Sequence, residues 1–327
     1  MSTPLTGKKI LITGGLGFIG SNLAYKCLDA GAKIILFDNL DPRLGGNICN
    51  IESFQKDIQF IQKDIRDADA VMEAVKGHDI VFNCAAYTSH AGSMKEPMEV
   101  IDINCKGTIN LLEAAKKNNP DIKIVHVGTS TQVGKMQLSE VDEMHPEFPI
   151  DIYSANKTAS EKYVLIYNSA YGMRTTVVRL ANNYGPRATI KSPNFGFINY
   201  FVGLALQNKE ITVYGKGEQL RNFSYVEDSV NALIAAALSE KSNGQVFFAV
   251  SDEQVSVHHV SEKIVKIIGG KLKQVDWPKE RKVIEIGDAV ISNKKIKEVL
   301  GWKSECTIEE GLKKTKEYFT PVLEKYV

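Results

Sequence analysis

Two side chains four residues apart could move a proton in this sequence. Tyr153 and Lys157 stand in the segment Tyr-Ser-Ala-Asn-Lys, which opens a stretch with helical character. Residues four apart lie on one face of a helix. A tyrosine hydroxyl has a pKa of about 10, and a nearby ammonium group favours its ionised form. The spacing therefore predicts that Tyr153 acts as a general base and that Lys157 assists it.

A glycine-rich turn near the start of the chain could bind phosphate groups. Residues 13–20 read Thr-Gly-Gly-Leu-Gly-Phe-Ile-Gly and follow the apolar run 10–12. Glycine permits a positive φ and a close approach of the backbone to a pyrophosphate, and the helix that begins near Phe18 directs its N-terminal N–H groups at the phosphates. We therefore predict a dinucleotide at Gly14, Gly17, Phe18, Ile19 and Gly20.

The acid at the end of the second predicted strand indicates which dinucleotide binds. Asp38 and Asn39 directly follow the run 33–37. A carboxylate at this position accepts hydrogen bonds from the adenosine ribose and repels a 2′-phosphate. The sequence therefore predicts NAD rather than NADP as the cofactor.

Apolar runs of strand length alternate with helical segments and must position these groups. The predicted strands are 9–13, 33–37, 58–62, 80–84, 122–127, 175–180 and 246–250, and the predicted helices are 21–30, 68–75, 100–117 and 154–170. Runs that are apolar throughout suit strands covered on both faces. The alternation predicts an α/β fold with a Rossmann-type, doubly wound parallel sheet of about seven strands.

The regular alternation ends near residue 187, which predicts two domains. We expect a dinucleotide-binding domain at 1–187, rejoined by about 222–250. A smaller C-terminal α/β domain, formed by 188–221 and 251–327, is expected to bind the substrate.

The composition is that of an ordinary globular protein. The chain has 327 residues, of which 43% are hydrophobic and 24% charged, and its formal net charge is +1. We therefore predict no nucleic-acid partner, and no membrane partner because no apolar run could span a bilayer. The six histidines form no metal-binding pattern, so no metal site is expected. Five cysteines without paired spacing favour reduced thiols and a cytoplasmic location.

Further blocks make nearly the whole chain resemble the extended short-chain dehydrogenase/reductase family of NAD-dependent nucleotide-sugar epimerases and dehydratases, and in particular the UDP-hexose 4-epimerases. The similar blocks are Asp-Ile-Arg-Asp at 64–67, Asn-Cys-Ala-Ala at 83–86, Asn-x-x-Gly-Thr at 104–108, Arg-Leu-Ala-Asn-Asn-Tyr-Gly-Pro-Arg at 179–187, Tyr-Gly-Lys-Gly-Glu-Gln-Leu-Arg-Asn-Phe-Ser-Tyr-Val-Glu-Asp at 214–228 and Leu-Gly-Trp at 300–302. The resemblance implies a nucleotide-diphosphate sugar as the substrate. It also implies a homodimer formed through the helices 100–117 and 154–170.

The resemblance implies roles for further residues. The family has a catalytic serine or threonine three positions before the valine of a Val-Tyr-Gly segment. Here Ser130 aligns best with that position, although the tyrosine is absent, and Thr129 or Thr131 could take its place. Additional cofactor contacts are implied for Asp64, Ile65, Ala85, Ala86 and Asn104. Substrate contacts are implied for His90, Ser130, Thr131, Asn182, Arg187, Asn194, Phe195, Arg221 and Arg281, although His90 could equally be structural, Phe195 could be a core residue and Arg281 a solvated charge.

Four reactions share this scaffold in the family. Dehydratases carry Asp-Glu directly after the catalytic threonine, and decarboxylases carry Glu where this chain has Gln132. Thr131 and Gln132 cannot transfer protons as carboxyl groups do. Reductases usually prefer NADPH, which Asp38 opposes. The sequence therefore favours epimerisation of a UDP-hexose or UDP-hexuronate, most simply at C4, by transient hydride transfer to tightly bound NAD. The alternatives are a nucleotide-sugar 4,6-dehydratase or decarboxylase and, in another class, a non-catalytic protein that senses NAD(H).

Overall fold

A computed structural model of the chain describes residues 4–138, 140–278, 282 and 286–327. The strands are β1 (Lys9–Thr13), β2 (Lys33–Asp38), β3 (Gln59–Gln62), β4 (Ile80–Asn83), β5 (Lys123–Thr129), β6 (Thr175–Leu180), β7 (Asn183–Tyr184), β8 (Glu210–Tyr214), β9 (Leu220–Asn222), β10 (Ser224–Tyr225), β11 (Val246–Ala249), β12 (Gln254–Ser256) and β13 (Lys271–Val275). The α-helices are α1 (Phe18–Asp29), α2 (Ala68–Ala74), α3 (His90–Ser93), α4 (Pro97–Val100), α5 (Gly107–Asn118), α6 (Ile152–Tyr171), α7 (Phe197–Leu206), α8 (Val226–Leu238), α9 (Val257–Ile267), α10 (Lys294–Leu300) and α11 (Ile308–Phe319).

Seven parallel strands form the central sheet in the order β11-β6-β5-β4-β1-β2-β3. Apolar side chains of the strands pack on both faces of this sheet. One face is covered by α1, α8 and α10, and the other by α2, α5 and α6. The predicted doubly wound fold is therefore confirmed. Its order reverses between β1 and β4, and in open α/β sheets ligands bind outside the carboxyl ends of the strands at such a point.

Most elements differ from the sequence-based boundaries by one to three residues, and two of these differences have a clear physical reason. The helix predicted at 100–117 begins earlier, at Pro97, and continues through a π-helical turn at Ile101–Lys106 before α5. Proline is favoured in the first turn of a helix because its missing N–H has no intrahelical partner there. β5 continues beyond the apolar run to Thr129, because Gly128 and Thr129 still pair with β6.

A second hydrophobic cluster lies in the C-terminal part of the chain. It contains residues of α7, α9 and α11 packed on the parallel pair β8 and β13. The domain boundaries predicted from the sequence stay a prediction. Among the residues that the structure describes, no helix is both long enough and apolar enough to cross a membrane.

Candidate functional site

A cavity of about 480 Å³ opens at the carboxyl ends of the sheet strands. This volume lies within the range of small-molecule sites, about 300–1,000 Å³. Eighteen of the residues predicted for the site line it. They are Gly14, Gly17, Phe18, Ile19, Gly20, Asp38, Asn39, Asp64, Ile65, Ala85, Ala86, His90, Thr131, Tyr153, Lys157, Asn182, Asn194 and Phe195.

Two glycines at one end of the cavity, Gly14 and Gly20, leave no room for a Cβ. Gly14 has a φ of 66°, and a Cβ at this position would lie 2.7 Å from the Ala85 backbone nitrogen. A Cβ at Gly20 would overlap the Gly14 carbonyl oxygen. Gly17 ends the turn and presents bare backbone to the cavity at the start of α1. Such a cradle fits the diphosphate of a dinucleotide.

Asp38 fixes the turn at the end of β2. Its carboxylate accepts hydrogen bonds from the backbone N–H of Leu16 at 3.0 Å and of Leu40 at 2.8 Å. Burial raises the pKa of Asp38, although these two hydrogen bonds oppose the shift. The carboxylate thus positions the glycine turn and also lines the cavity.

Asp64 is a further acidic residue of the cavity lining. Its carboxylate forms a bidentate ion pair with Arg66, at 2.8 Å for both contacts, and accepts a hydrogen bond from Asn39 at 2.9 Å. Burial alone would raise the pKa of Asp64, but the contacts with Arg66 outweigh it and lower the pKa to about 2. Asp64 is therefore ionised at neutral pH and holds Asn39 in place.

Tyr153 and Lys157 lie at the other end of the cavity, on α6. The Lys157 ammonium donates to the Val127 carbonyl oxygen at 2.6 Å and lies 3.0 Å from His126 Nε2. Burial lowers the pKa of Lys157 to about 8. Burial raises the pKa of Tyr153 to about 12, a hydrogen bond with Thr129 lowers it in part, and the charge of Asp151 raises it.

The segment after β5 decides which hydroxyl faces Tyr153. Gly134 has a φ of 68°, and a Cβ there would overlap the Phe148 carbonyl oxygen, so only glycine fits. Gly134 therefore matches the glycine of Val-Tyr-Gly, with Val133 in the tyrosine position. In this register Thr129, one residue before Ser130, stands at the position of the family's catalytic serine or threonine.

The geometry agrees with this shifted register. Thr129 and Thr131 line the cavity, whereas Ser130 is not among its described lining residues. The Thr129 hydroxyl accepts a hydrogen bond from Thr131 N at 3.3 Å. Ser154, next to Tyr153 on α6, donates to the Thr131 hydroxyl at 2.9 Å. The structure therefore favours Thr129, which the sequence offered only as an alternative to Ser130.

Three other predicted contact residues lie outside the cavity lining described by the structure. Asn104 is buried behind it, where its side chain bonds Tyr87 N at 2.8 Å and Tyr87 O at 3.1 Å. Arg221 donates to the carbonyl oxygens of Leu220 at 2.8 Å and Gly287 at 2.5 Å. The third is Arg187, and Arg281 lies outside the described residues.

Arg187 is enclosed by protein groups. Its guanidinium donates to Asn50 O at 2.9 Å and to Asn22 Oδ1 at 3.0 Å. The rings of Tyr25, Tyr318 and Phe54 surround it, with centroids 4.8, 5.4 and 5.8 Å away. Hydrogen bonds and cation–π contacts stabilise an arginine in such a site. The structure places the Arg187 guanidinium among these groups, and its contact with the substrate stays a prediction.

A histidine–aspartate pair borders the cavity beside Tyr153. His90 Nδ1 lies 2.7 Å from Asp151 Oδ2, and the rings of His90 and Tyr153 meet edge-on with centroids 5.0 Å apart. The other Asp151 oxygen caps α6 by accepting from Ser154 N at 2.8 Å. Burial alone would raise the pKa of Asp151, but His90 and the cap hold it below its usual value.

The sequence analysis missed Asp151 and His126. Asp151 could have been recognised as a helix N-cap, since aspartate is favoured there. The sequence carries no comparable signal for His126, which lies inside a strand among apolar residues.

Gln132 takes no part in the cavity lining described by the structure. Its amide donates to Glu161, a buried residue of α6, at 2.9 Å. Glu161 also forms a buried ion pair with Arg179, with Nε 2.8 Å from Oε2. This cluster ties the segment after β5 to the helix that carries Tyr153.

Comparisons with known proteins agree with this geometry. A family model described as GDP-mannose 4,6 dehydratase matches residues 11–315. A UDP-N-acetyl-alpha-D-glucosaminuronate decarboxylase from Bacillus cytotoxicus is 35% identical over 325 residues, which cover 96% of this chain and 98% of that protein.

Two solved structures of other proteins superpose along nearly the whole chain. UDP-glucose 4-epimerase from Thermotoga maritima, solved with UDP-glucose, is 30% identical with a TM-score of 0.86 and covers 96% of this chain and 99% of its own. dTDP-glucose 4,6-dehydratase from Bacillus anthracis, solved with NAD, is 28% identical with a TM-score of 0.85 and covers 98% of this chain and 99% of its own. This chain therefore belongs to the GDP-mannose 4,6-dehydratase family, among the nucleotide-sugar epimerases and dehydratases of the extended short-chain dehydrogenase/reductase type.

Proposed function

We propose that this chain is an NAD-dependent epimerase that inverts C4 of a nucleotide-diphosphate sugar. NAD would lie along the cavity from the glycine turn to Tyr153, and the sugar would lie at the end formed by Thr129, Tyr153 and His90. Bound NAD supplies a reversible acceptor for the hydrogen of C4. The residues of the chain bind the two molecules, orient them and move the hydroxyl proton.

The observation that carries the proposal is the hydroxyl pair Thr129 and Tyr153 at one end of the cavity. Burial holds the Tyr153 phenol protonated, with a pKa near 12. A positive charge at the bound cofactor would lower this pKa toward the working pH. Tyr153 is then able to accept the proton of the sugar hydroxyl, directly or through Thr129.

The residues after Thr129 support epimerisation over dehydration. In the register fixed by Gly134, the two positions that carry Asp-Glu in dehydratases hold Ser130 and Thr131. Neither has a carboxyl group, and Gln132 is bonded to Glu161 instead. The absence of carboxyl groups, which favours epimerisation when Thr131 and Gln132 are compared with the family, supports the same proposal in this register.

The His90–Asp151 pair favours a second candidate function, dehydration or decarboxylation of the sugar. Asp151 orients the imidazole at Nδ1, and histidine is the side chain most often used as a general acid or base in enzymes. His90 could thus supply a proton where the family uses carboxyl groups. The relative from Bacillus cytotoxicus is named as a decarboxylase and the structure from Bacillus anthracis as a dehydratase, so these reactions are part of the test.

We further propose that two copies associate through the helices beside the cavity. Met98 on α4, Ile101 at the start of the π-helical turn and Ile166 on α6 have exposed side chains. Exposed large apolar side chains contribute to a protein interface when they form one patch. Sedimentation of the purified protein would measure the oligomeric state, and a monomer at micromolar concentration would refute a stable dimer.

Incubation with a panel of UDP-, dTDP-, GDP- and CDP-sugars tests the reaction, with products identified by mass and NMR. We expect a product of unchanged mass with inverted C4 and no net consumption of NADH. In deuterium oxide, C4 should gain no label because its hydrogen does not meet solvent.

Other outcomes separate the alternatives. Loss of 18 mass units would show dehydration, and loss of carbon dioxide would show decarboxylation. Bound NAD with no turnover of any sugar in the panel would favour a non-catalytic NAD(H) sensor. Deuterium at the inverted carbon would refute hydride transfer.

A further inference from the structure

A buried histidine connects Lys157 to the strand that leads into the glycine turn. His126 lies on β5 and is 1% exposed. Its Nε2 is 3.0 Å from Lys157 Nζ, and its Nδ1 is 3.0 Å from Asn83 Nδ2. Asn83 accepts a hydrogen bond from the Thr13 hydroxyl at 2.8 Å. These four side chains form one buried row from α6 across β5, β4 and β1.

The imidazole of His126 is uncharged. Burial lowers its pKa well below 6.5, and the positive charge of Lys157 lowers it further. A neutral imidazole has one N–H donor and one acceptor nitrogen, and the amide of an asparagine can turn to match either. The tautomer of His126 therefore depends on what Lys157 offers at Nε2.

Two arrangements match Lys157, His126 and Asn83, and in the first of them the amide nitrogen of Asn83 faces the Thr13 hydroxyl, which then accepts. A charged Lys157 donates to Nε2, so the ring proton lies at Nδ1 and donates to the amide oxygen of Asn83. An uncharged Lys157 accepts from Nε2–H, so Nδ1 accepts from the Asn83 amide nitrogen. Passing from the first to the second releases one proton to the solvent: Lys157 gives a proton to Nε2, and the imidazole loses its Nδ1 proton to water.

We propose that His126 is a positioning residue that holds the Lys157 ammonium at the Tyr153 end of the cavity and that its tautomer reports the charge of Lys157. The inference rests on the proposed function only for the part that Lys157 plays in the reaction. The titration of Lys157 is measured without turnover. Its result therefore tests this inference whichever sugar is the substrate.

His126 differs from the charged groups around Lys157 because it contacts the ammonium directly, through Nε2. Cys84 after β4, Cys105 on the π-helical turn and Glu161 on α6 act on it through charge when ionised. Within the described residues, its hydrogen-bond partners are the Val127 carbonyl oxygen and His126. Removal of the Nε2 acceptor should lower the pKa of Lys157 by about one to two units, since hydrogen bonds to charged groups contribute about 1.5–3 kcal/mol.

Lysine NMR of the NAD-bound protein, labelled with ¹³C at Cε and ¹⁵N at Nζ, tests this inference. His126→Leu removes the acceptor, whereas His126→Gln keeps one in its amide oxygen. Lys123 is an internal control, because it is also buried on β5, its pKa is also lowered to about 8, and it bonds Thr176 and Ser242. We expect His126→Leu to lower the pKa of Lys157 alone and His126→Gln to restore it.

An unchanged Lys157 titration in His126→Leu would overturn the proposal, and so would equal shifts of Lys157 and Lys123. A second measurement needs no variant. The ¹⁵N shifts of His126 in the wild-type protein should show the proton at Nδ1 below the pKa of Lys157 and at Nε2 above it. One tautomer throughout, or a cationic His126 ring, would also refute the proposal.

Discussion

Replacement of Thr129 by valine tests the register of the segment after β5. Valine keeps the shape of threonine and removes the hydroxyl that is hydrogen-bonded to Tyr153. If this hydroxyl relays or orients the proton of the sugar, turnover should fall about 10²–10⁴-fold, which is the usual contribution of a positioned acid–base group. Ser130→Ala should change turnover only a few-fold, because Ser130 lies outside the described cavity lining.

Thr129→Val should also destabilise the fold slightly, and this effect can be measured separately from the loss of turnover. The Thr129 hydroxyl also accepts from Thr131 N at 3.3 Å, at the start of the short helix Ser130–Val133. Loss of such a cap costs about 0.5–2 kcal/mol. Thermal unfolding should therefore show a stable Thr129→Val protein that still binds NAD.

The assay is the initial rate on the sugar identified by the panel, with Thr129→Ser as the control that keeps the hydroxyl. Thr129→Ser should retain activity within about tenfold, since it preserves the proton-relaying group. Full activity in Thr129→Val together with a large loss in Ser130→Ala would refute the register. It would return the catalytic role to Ser130, as the alignment alone suggested.

Three further substitutions test the cavity and the segment after β5. Tyr153→Phe should lower turnover about 10²–10⁴-fold with unchanged thermal unfolding, and near-wild-type rates would remove Tyr153 from the mechanism. Asp38→Asn keeps one of the two acceptor oxygens that the turn uses and loses a charge, so the affinity ratio of NADP to NAD, measured by titration, should rise roughly tenfold or more; an unchanged ratio would count against Asp38 as the selecting group. Gly134→Ala should destabilise the protein by about 2–5 kcal/mol in urea unfolding, because of its positive φ and the overlap with Phe148, and a cost near zero would contradict the register.

The sequence could predict the sheet because its signals are local. Apolar runs between helical segments indicate buried parallel strands, and β1 and β6 have the predicted bounds. The strand and helix ends that differ from the prediction depend on contacts with neighbouring elements of the fold. β5 continues to Thr129 because β6 lies alongside it, and the early start at Pro97 precedes a π-helical turn that no simple period describes.

The partners of the arginines could not be predicted in the same way. An Arg in a family-like block suggests a phosphate contact, yet Arg187 lies among Tyr25, Phe54 and Tyr318. These rings come from segments far apart in the chain. Only their meeting in the fold shows which groups surround the guanidinium.

The sequence by itself determined the α/β fold, the glycine turn, the acid at Asp38 and the Tyr153–Lys157 pair, because each depends on the order and spacing of nearby residues. The tertiary structure alone decided that Thr129 faces Tyr153, that His90 meets Asp151 and that His126 reaches Lys157. A shift of one residue in a turn exchanges one hydroxyl for the next, and contacts across strands and helices depend on which chain segments pack together.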